Sequence, residues 1–585
     1  PRAVQQEMAE AVSSALESGQ HLLVEAPTGT GKTLAYLIPA LASGRKIIVS
    51  TATRNLQDQL YSKDVPLVRA ALERSLKISL LKGRSNYLCL HRLALTESAG
   101  DLRRPALLKR LREIRAWSQR TRNGDIGEIG DPADGSPLWP RVTSTADNCL
   151  GTSCPVYEKC WVVEARRAAQ AADLVVVNHY LLFADMSLRE EGFGEVLPGA
   201  DAVILDEAHK LPEIAGRFFG QALSGRQLRD LVRDGHAEAL EAGGDMPTLS
   251  ASLDTLAQAE IDFEKVLGDR QGSSGLVEIT EDKIRNAALE QLGVELDALL
   301  VQIQPLAERT EGLGNIARRS LAARERLTLL LTHDNKNVRW LERRGVSWVL
   351  HTTPLDVAAP FTRALAVHNG AWIFTSATLS VNQRLDYFAE RLGLSGANQL
   401  ILDSPFDYER NSLLYMPTNL PETNSPDFDE AVAEAALPLI RASGGGAFLL
   451  CTSYRAVNRC AQRLRTQGVK PLLVQGEAGR AELLQRFRAV DNAVLVGTSS
   501  FWEGVDVRGR GLRLVIIDRL PFASPGDPVL SARIQSMRDQ GEEPFSEYQL
   551  PHAVIALKQG VGRLIRDKDD RGLLAICDPR LRNRG

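Results

Sequence analysis

Short, continuous apolar runs alternate with stretches of helical periodicity along most of this chain. The runs "HLLVE" (21–25), "RKIIVSTAT" (45–53), "ADLVVVNHY" (172–180), "DAVILDEAHK" (201–210) and "GAWIFTSATLS" (370–380) form a first series. A glycine-rich break at 443–446 opens a second: "GAFLLCTSY", "KPLLVQG", "AVLVGTSSFWEGVDVRG", "LRLVIIDRLPF" and "GLLAICDP". Strands apolar on both faces, with helical patterns between most of them, predict two α/β domains, each a parallel sheet covered on both sides. Residues 211–368 break this rhythm. Recurrent apolar positions in "ALEQLGVELDALLVQIQPLAERTEGLGNIARRSLAARERLTLLL" predict a mainly helical insertion, with loops at the Gly/Ser breaks 242–250 and 271–275.

At 585 residues and 44% hydrophobic, the chain can bury several cores. The N-terminal stretch lacks the basic-then-apolar pattern of a signal peptide, and no run of about 18 apolar residues occurs, so a soluble cytoplasmic protein is expected. Seven cysteines, an odd number, point in such a compartment to ligands or buried thiols. Net charge is -3, which by itself gives no support for a nucleic-acid partner. Residues 83–122 nevertheless carry ten Arg or Lys against three acidic residues, a basic face that is either solvated or turned to an anion.

Candidate chemistry clusters at the ends of the predicted strands. In "APTGTGKT", Ala26 stands where the strict phosphate-loop pattern has its first Gly. Gly29 and Gly31 allow the backbone, from Pro27 through Thr28, Thr30 and on to Thr33, to close on an anion. Lys32 can then reach β- and γ-phosphates, and Thr33 can hold Mg²⁺. In "DAVILDEAHK", Asp206 and Glu207 emerge at the C-terminal end of a buried strand, where Asp206 can anchor Mg²⁺ and Glu207 can orient or deprotonate water. In "LKQGVGRLIRDKDD", Gln559, Arg563 and Arg566 follow spacings of four and three. These put all three on one helical face, from which the arginines can reach a γ-phosphate. Cys89, Cys149, Cys154 and Cys160 are separated by 59, 4 and 5 residues. Four thiolates at these spacings suit iron or zinc alike. Cys451, Cys460 and Cys577 lie in strand or helix patterns and read as buried apolar side chains.

In order along the chain stand "EAPTGTGKT", "STATRNLQDQL", "DEAH", "TSATL", "SSFWEGVDVRG" and "QGVGRLIR". On these motifs the chain resembles the bacterial DinG/YoaA family of superfamily 2 helicases, relatives of the iron–sulfur helicase XPD, over nearly its whole length. The intact "DEAH" leans towards the YoaA branch. The resemblance implies two RecA-like motor domains, the first interrupted by an iron–sulfur domain and a helical arch. Segments 1–83, 173–210 and 369–435 would form the first motor domain and a linker, 84–172 the iron–sulfur domain, 211–368 the arch and 436–585 the second motor domain. It further implies that Gln5 contacts adenine, that Glu503, Gly504 and Asp506 link the ATP cleft to DNA, and that the four cysteines hold a [4Fe-4S] cluster. The activity implied is an ATP-dependent 5′ to 3′ DNA helicase acting with Mg²⁺ on single-stranded and forked DNA in replication and repair. A monomeric, nucleoid-associated motor is implied, with replication partners such as a polymerase III accessory subunit or a single-strand-binding protein. An RNA or RNA–DNA hybrid helicase keeps the same motor, and a non-enzymatic scaffold would require disabled motor residues.

Overall fold

The computed structural model describes residues 3–583 apart from 101, 103, 130–135, 191–195, 270, 333, 369, 499–500, 502–510 and 568. Its strands are β1 (Leu22–Glu25), β2 (Ile47–Thr51), β3 (Ile78–Leu80), β4 (Leu174–Asn178), β5 (Ala202–Asp206), β6 (Gln221–Ser224), β7 (Gly272–Gly275), β8 (Asn337–Arg344) and β9 (Ser347–Pro354). β10 (Ala371–Ser376), β11 (Asn398–Ile401), β12 (Ser412–Tyr415), β13 (Ala447–Leu450), β14 (Leu472–Val474), β15 (Val494–Gly497), β16 (Leu514–Ile517) and β17 (Gly572–Ile576) follow.

Two parallel sheets form, as the apolar runs predict, in the places expected of the first and second motor domains. The first has the order β11-β1-β10-β5-β2-β4-β3 and the second β12-β17-β16-β13-β15-β14. Strands such as "IIVST" and "LVVVN" are apolar on successive positions because both faces are covered. One face packs Leu23, Val203 and Phe374 against the 179–190 helix, while the other packs Val24, Ile204 and Ile373 against α1 (Ala3–Ser18) and α2 (Lys32–Ala42). Each buried Val, Leu or Ile contributes about 1.5–3 kcal/mol, which holds the central strands rigid. Register then sets the site: Glu25 lies beside Ser376, and Thr375 beside Asp206, on one rim of the sheet.

The first insertion leaves the sheet after β3. It carries α3 (Leu90–Ala99), α4 (Pro105–Ser118) and α5 (Trp161–Gln170) around a small core of Leu88, Leu93, Leu111, Ile114, Ile126 and Trp139. Lys82 fastens its base, with Nζ 2.9 Å from Asp58 of the motor and 2.8 Å from Asp125 of the insertion.

The second insertion is helical, as expected, in α6 (Gly225–Glu241), α7 (Pro247–Val266), α8 (Lys283–Ile303) and α9 (Glu311–Leu331). It also contains a four-stranded antiparallel sheet, β6-β9-β8-β7, that the helical reading of 211–368 does not anticipate. Gly345, at φ 59°, turns the chain between β8 and β9. Trp348 is fully buried under the helices and donates its indole N–H to Glu260 at 2.9 Å.

The chain returns through α10 (Asp386–Leu392), whose Phe388 and Leu392 rejoin the first motor core. The second sheet takes its edge strand β12 from 412–415, inside the stretch read from sequence as the end of the first motor domain and linker. Helices α11 (Pro528–Asp539) and α12 (Leu550–Val561) complete the second domain.

Candidate ATP site and cysteine cluster

The loop between β1 and α2 has Gly29 at φ 79° and Gly31 at φ 83°, left-handed conformations that residues with a Cβ resist. Gly31 caps α2 without any side-chain hydrogen bond, leaving the first helical amides directed at the loop's concavity. The Gln5 side chain donates to the Gly31 carbonyl at 3.3 Å. Lys32 Nζ stands 4.0 Å from Asp206 Oδ1 at the end of β5. The Tyr36 hydroxyl, one helical turn after Lys32, donates to Asp206 Oδ2 at 3.2 Å, with the Thr33 side chain beside it. Thr33 and Asp206, the candidate Mg²⁺ ligands, therefore share one neighbour.

Glu207 adopts φ 60°, unusual for a residue with a side chain, and its backbone N–H donates to Asp206 Oδ1 at 3.0 Å. The two adjacent carboxyls are driven apart in acidity. Burial raises Asp206, against the opposing charge of Lys32 and with the help of Glu207. Burial would raise Glu207 too, but the positive charges of Lys32 and Arg563 outweigh it and hold that carboxyl low. His209 Nδ1 is 3.4 Å from Glu207 Oε2 and 2.8 Å from Ser376 Oγ. Burial keeps its imidazole neutral, with a pKa lowered to about 3.

Across the cleft, α12 of the second domain supplies Lys558 and Gln559. Gln559 Nε2 lies 3.3 Å from His209 Nδ1 and donates to the Thr378 hydroxyl, and Arg563 donates to Gln559 Oε1 at 3.5 Å. Lys558 donates to the Ser380 carbonyl at 2.9 Å and stands 3.5 Å from Glu25, whose buried carboxylate also receives the amides of Leu379 and Ser380. Thr28 donates to the Gly562 carbonyl at 3.2 Å, so the second domain touches the phosphate loop directly. A cavity of about 270 Å³ lies at this junction, bordered by Glu25, Thr28, Thr378, Asp403, Lys558 and Gln559.

One expectation is corrected. Helix α12 ends at Val561, so Gln559 occupies its last turn, Arg563 the turn beyond it, and Arg566 an irregular segment. The three do not share a helical face. Arg566 instead brings its backbone carbonyl beside Gly29, where a Cβ would also overlap the Phe406 ring. Glu503, Gly504 and Asp506 lie outside the described residues. Sequence reasoning did not single out Glu25, Tyr36, His179, His209, Ser376, Thr378 or Lys558. Most stand inside or beside motifs already quoted. His179, which receives or donates hydrogen bonds at Ser50 Oγ (2.8 Å) and the Asp206 carbonyl (2.9 Å), has no such marker.

The four predicted metal-ligating cysteines are half-buried and free, whereas Cys451, Cys460 and Cys577 are buried. Cys89 begins α3, its amide held by the Val142 carbonyl at 2.8 Å, and Cys160 begins α5. Burial pushes the Cys89 thiol up to about 11, and Cys154 and Cys149 lie near enough to add to the rise. Burial likewise raises Cys154, with contributions from Cys149 and Cys160. Each of the four thiols thus lies within electrostatic reach of at least one other, with Cys154 near all three, in the manner of a donor set whose deprotonation a metal would favour. Among the described residues no three His, Cys, Asp or Glu side chains are already drawn into a metal cage.

Both cysteine segments also grip the second insertion. Arg92, three residues after Cys89, pairs bidentately with Asp234 of α6 at 2.9 and 3.1 Å, and Arg319 of α9 reaches the same carboxylate at 2.9 Å. Asp147, two residues before Cys149, accepts from Gln227 and Arg326, both at 3.3 Å.

Residues 2–93 match the DEAD/DEAH box helicase family model and 436–585 the helicase C-terminal domain model. The chain is 48% identical to ATP-dependent DNA helicase YoaA of Escherichia coli, over 99% of this chain and 92% of that protein. It is 34% identical to ATP-dependent helicase DinG of Mycobacterium tuberculosis, over 99% and 90%. A solved XPD helicase superposes with a TM-score of 0.60 at 17% identity, covering 100% of this chain and 96% of that one, which is a likeness of fold.

Proposed function

The chain belongs to the DinG/YoaA family of XPD-like ATP-dependent DNA helicases, and from that membership we propose that it translocates 5′ to 3′ on single-stranded DNA. In this reading it unwinds duplexes and forks in replication and repair, near the nucleoid and alongside replication proteins such as a polymerase III accessory subunit or a single-strand-binding protein. The observation that carries the motor assignment is the meeting, in one cleft between two parallel sheets, of Lys32, Asp206 and Glu207 with Gln559 and Arg563.

In that cleft the amides of 29–33 and Lys32 would bind the β- and γ-phosphates of ATP, and Gln5 would bear on the adenine side. Thr33 and Asp206 would hold Mg²⁺, which neutralises phosphate charge. A Glu207 held this acidic is a weak proton acceptor, so its main contribution is to orient the attacking water. Arg563 would meet the charge that develops on the transferring phosphoryl group. Arg566 would serve coupling to DNA. Cys89, Cys149, Cys154 and Cys160 would hold a [4Fe-4S] cluster, whose chemistry here is to cross-link a module with a small core. No described helix is long and apolar enough to cross a membrane.

The test uses a short duplex with a single-stranded tail on either the 5′ or the 3′ side. ATP-dependent unwinding of the 5′-tailed substrate alone is expected. Equal unwinding of both, or of the 3′-tailed substrate alone, overturns the polarity, and none with either overturns the helicase reading.

A further inference from the structure

Helix α12 does different things at its two ends. Its C-terminal turn carries Lys558 and Gln559 into the ATP cleft, with Arg563 just beyond. Its first residue, Leu550, lies about 14 Å from Gln559 along the axis at a rise of about 1.5 Å per residue. Two residues before it stands Tyr548, and this ring is held from two sides. Tyr387 of α10, in the first motor domain, approaches it with ring centroids 6.4 Å apart and donates its hydroxyl to the Tyr548 carbonyl at 3.3 Å. The Arg391 guanidinium, one turn further along α10, stands 5.5 Å from the Tyr387 ring and 5.2 Å from Tyr548. From α11, Arg533 lies 5.2 Å from the same Tyr548 ring and donates to its hydroxyl at 2.5 Å.

Arg533 has a second partner. Its Nε donates at 3.2 Å to the carbonyl of Leu355, the residue that follows β9, and α11 itself packs on β7 and β8 of the arch sheet. One side chain of the second motor domain therefore ties together the foot of α12 and the root of the arch. A guanidinium can do this because its N–H groups lie in a fixed plane: one edge meets a carbonyl, another the phenol, and the face remains over the ring. Any rotation of the second domain that follows the phosphates through Gln559 and Arg563 must turn α12 about its far end. The arch, bound to α11, is moved by that turn.

We propose that the Arg391–Tyr548–Arg533 stack is the pivot that passes the nucleotide state of the cleft to the arch, with Arg533 as the positioning residue that couples them. The inference rests on the duplex-unwinding reading above. Its first measurement is independent of unwinding: fluorophores attached through non-natural amino acids at the exposed Val294 of the arch and Val490 of the second domain report their separation with and without a non-hydrolysable ATP analogue. In the unmodified protein the separation should change on binding the analogue. Arg533→Met should lose that change while its DNA-stimulated ATPase stays within about twofold and the base pairs unwound per ATP fall about fivefold or more. Tyr548→Phe, which keeps the ring and removes the hydroxyl, should fall between the two, and Arg533→Lys should not restore the bidentate tie. A nucleotide-dependent separation preserved in Arg533→Met, or ATPase and unwinding falling in parallel, overturns the pivot. If the unmodified protein unwinds nothing but its labels still respond, the helicase reading fails and the pivot is judged on the distances alone.

Discussion

Glu207 stores backbone strain at a chemical position. Its φ of 60° aims the carboxylate towards His209 and the cleft, an arrangement of the kind that persists where surrounding packing over-determines it. Glu207→Gln keeps the shape but not the charge, so ATP and DNA binding should survive while steady-state turnover falls about 100-fold or more. Lys32→Ala should lose turnover and nucleotide affinity together. A DNA-saturated ATPase assay with a parallel nucleotide titration separates the two, and near-normal turnover in either variant would refute the assignment. Arg563→Ala should depress kcat far more than it raises KM for ATP, because its charge matters most when the γ-phosphoryl is in transit. If Arg566 serves the coupling role proposed for it, Arg566→Ala should instead weaken the stimulation by DNA while leaving nucleotide binding unchanged.

Between elements, the interface of the two insertions depends on buried charge. Asp234 is 6% exposed and Arg92 5%, and although burial alone would raise this carboxyl, Arg92, Arg319 and Arg233 carry it well below the usual range. Asp234→Ala would leave those guanidiniums without their carboxylate, a change that costs about 3–5 kcal/mol when a buried pair is broken. Amide exchange should quicken in α3, α6 and α9 while ATP binding is unchanged; uniform exchange across the molecule would contradict this. The cysteine module should behave as a unit as well. Cys154→Ser should lower iron per chain and loosen the segments at 89–99 and 149–170, while Cys577→Ser, altering a buried thiol beneath the second sheet, should leave metal content unchanged. Metal analysis of both variants decides it.

At the scale of the whole molecule, a net charge of -3 coexists with a basic helix, α4, on the first insertion. Affinity for single-stranded DNA should therefore come from local interactions with phosphates. It should fall steeply with salt, by a slope of about -0.7 per phosphate neutralised, and vary little with base sequence. Replacing Arg112 and Lys109 of α4 by Ala should flatten that slope by about 0.7 for each phosphate that is no longer neutralised. A fluorescence titration across salt concentrations measures it, and an unchanged slope would remove α4 from the DNA path.

The two parallel sheets were legible in the chain because strands buried on both faces must be apolar at successive positions, as "IIVST", "LVVVN" and "AWIFTS" are. The phosphate loop was legible because only glycine readily turns at Gly29 and Gly31 next to a helix start. The arch sheet was harder to see. Its hairpin alternates in "VRWLERRGVSWVLHTT", yet it is embedded among long helices and has no uninterrupted apolar run. Edge strand β12, with Leu413, Leu414 and Tyr415 exposed, carries no burial pattern at all. Residue types and local spacing by themselves determined which segments become buried strands and which loops can meet a phosphate, since those demands are met within a few residues. Only the tertiary structure decided that α12 stops before Arg566, that Glu25 and Lys558 meet although far apart in the chain, and that Arg533 joins the second domain to the arch. Those facts depend on register and packing between distant elements, which no local pattern encodes.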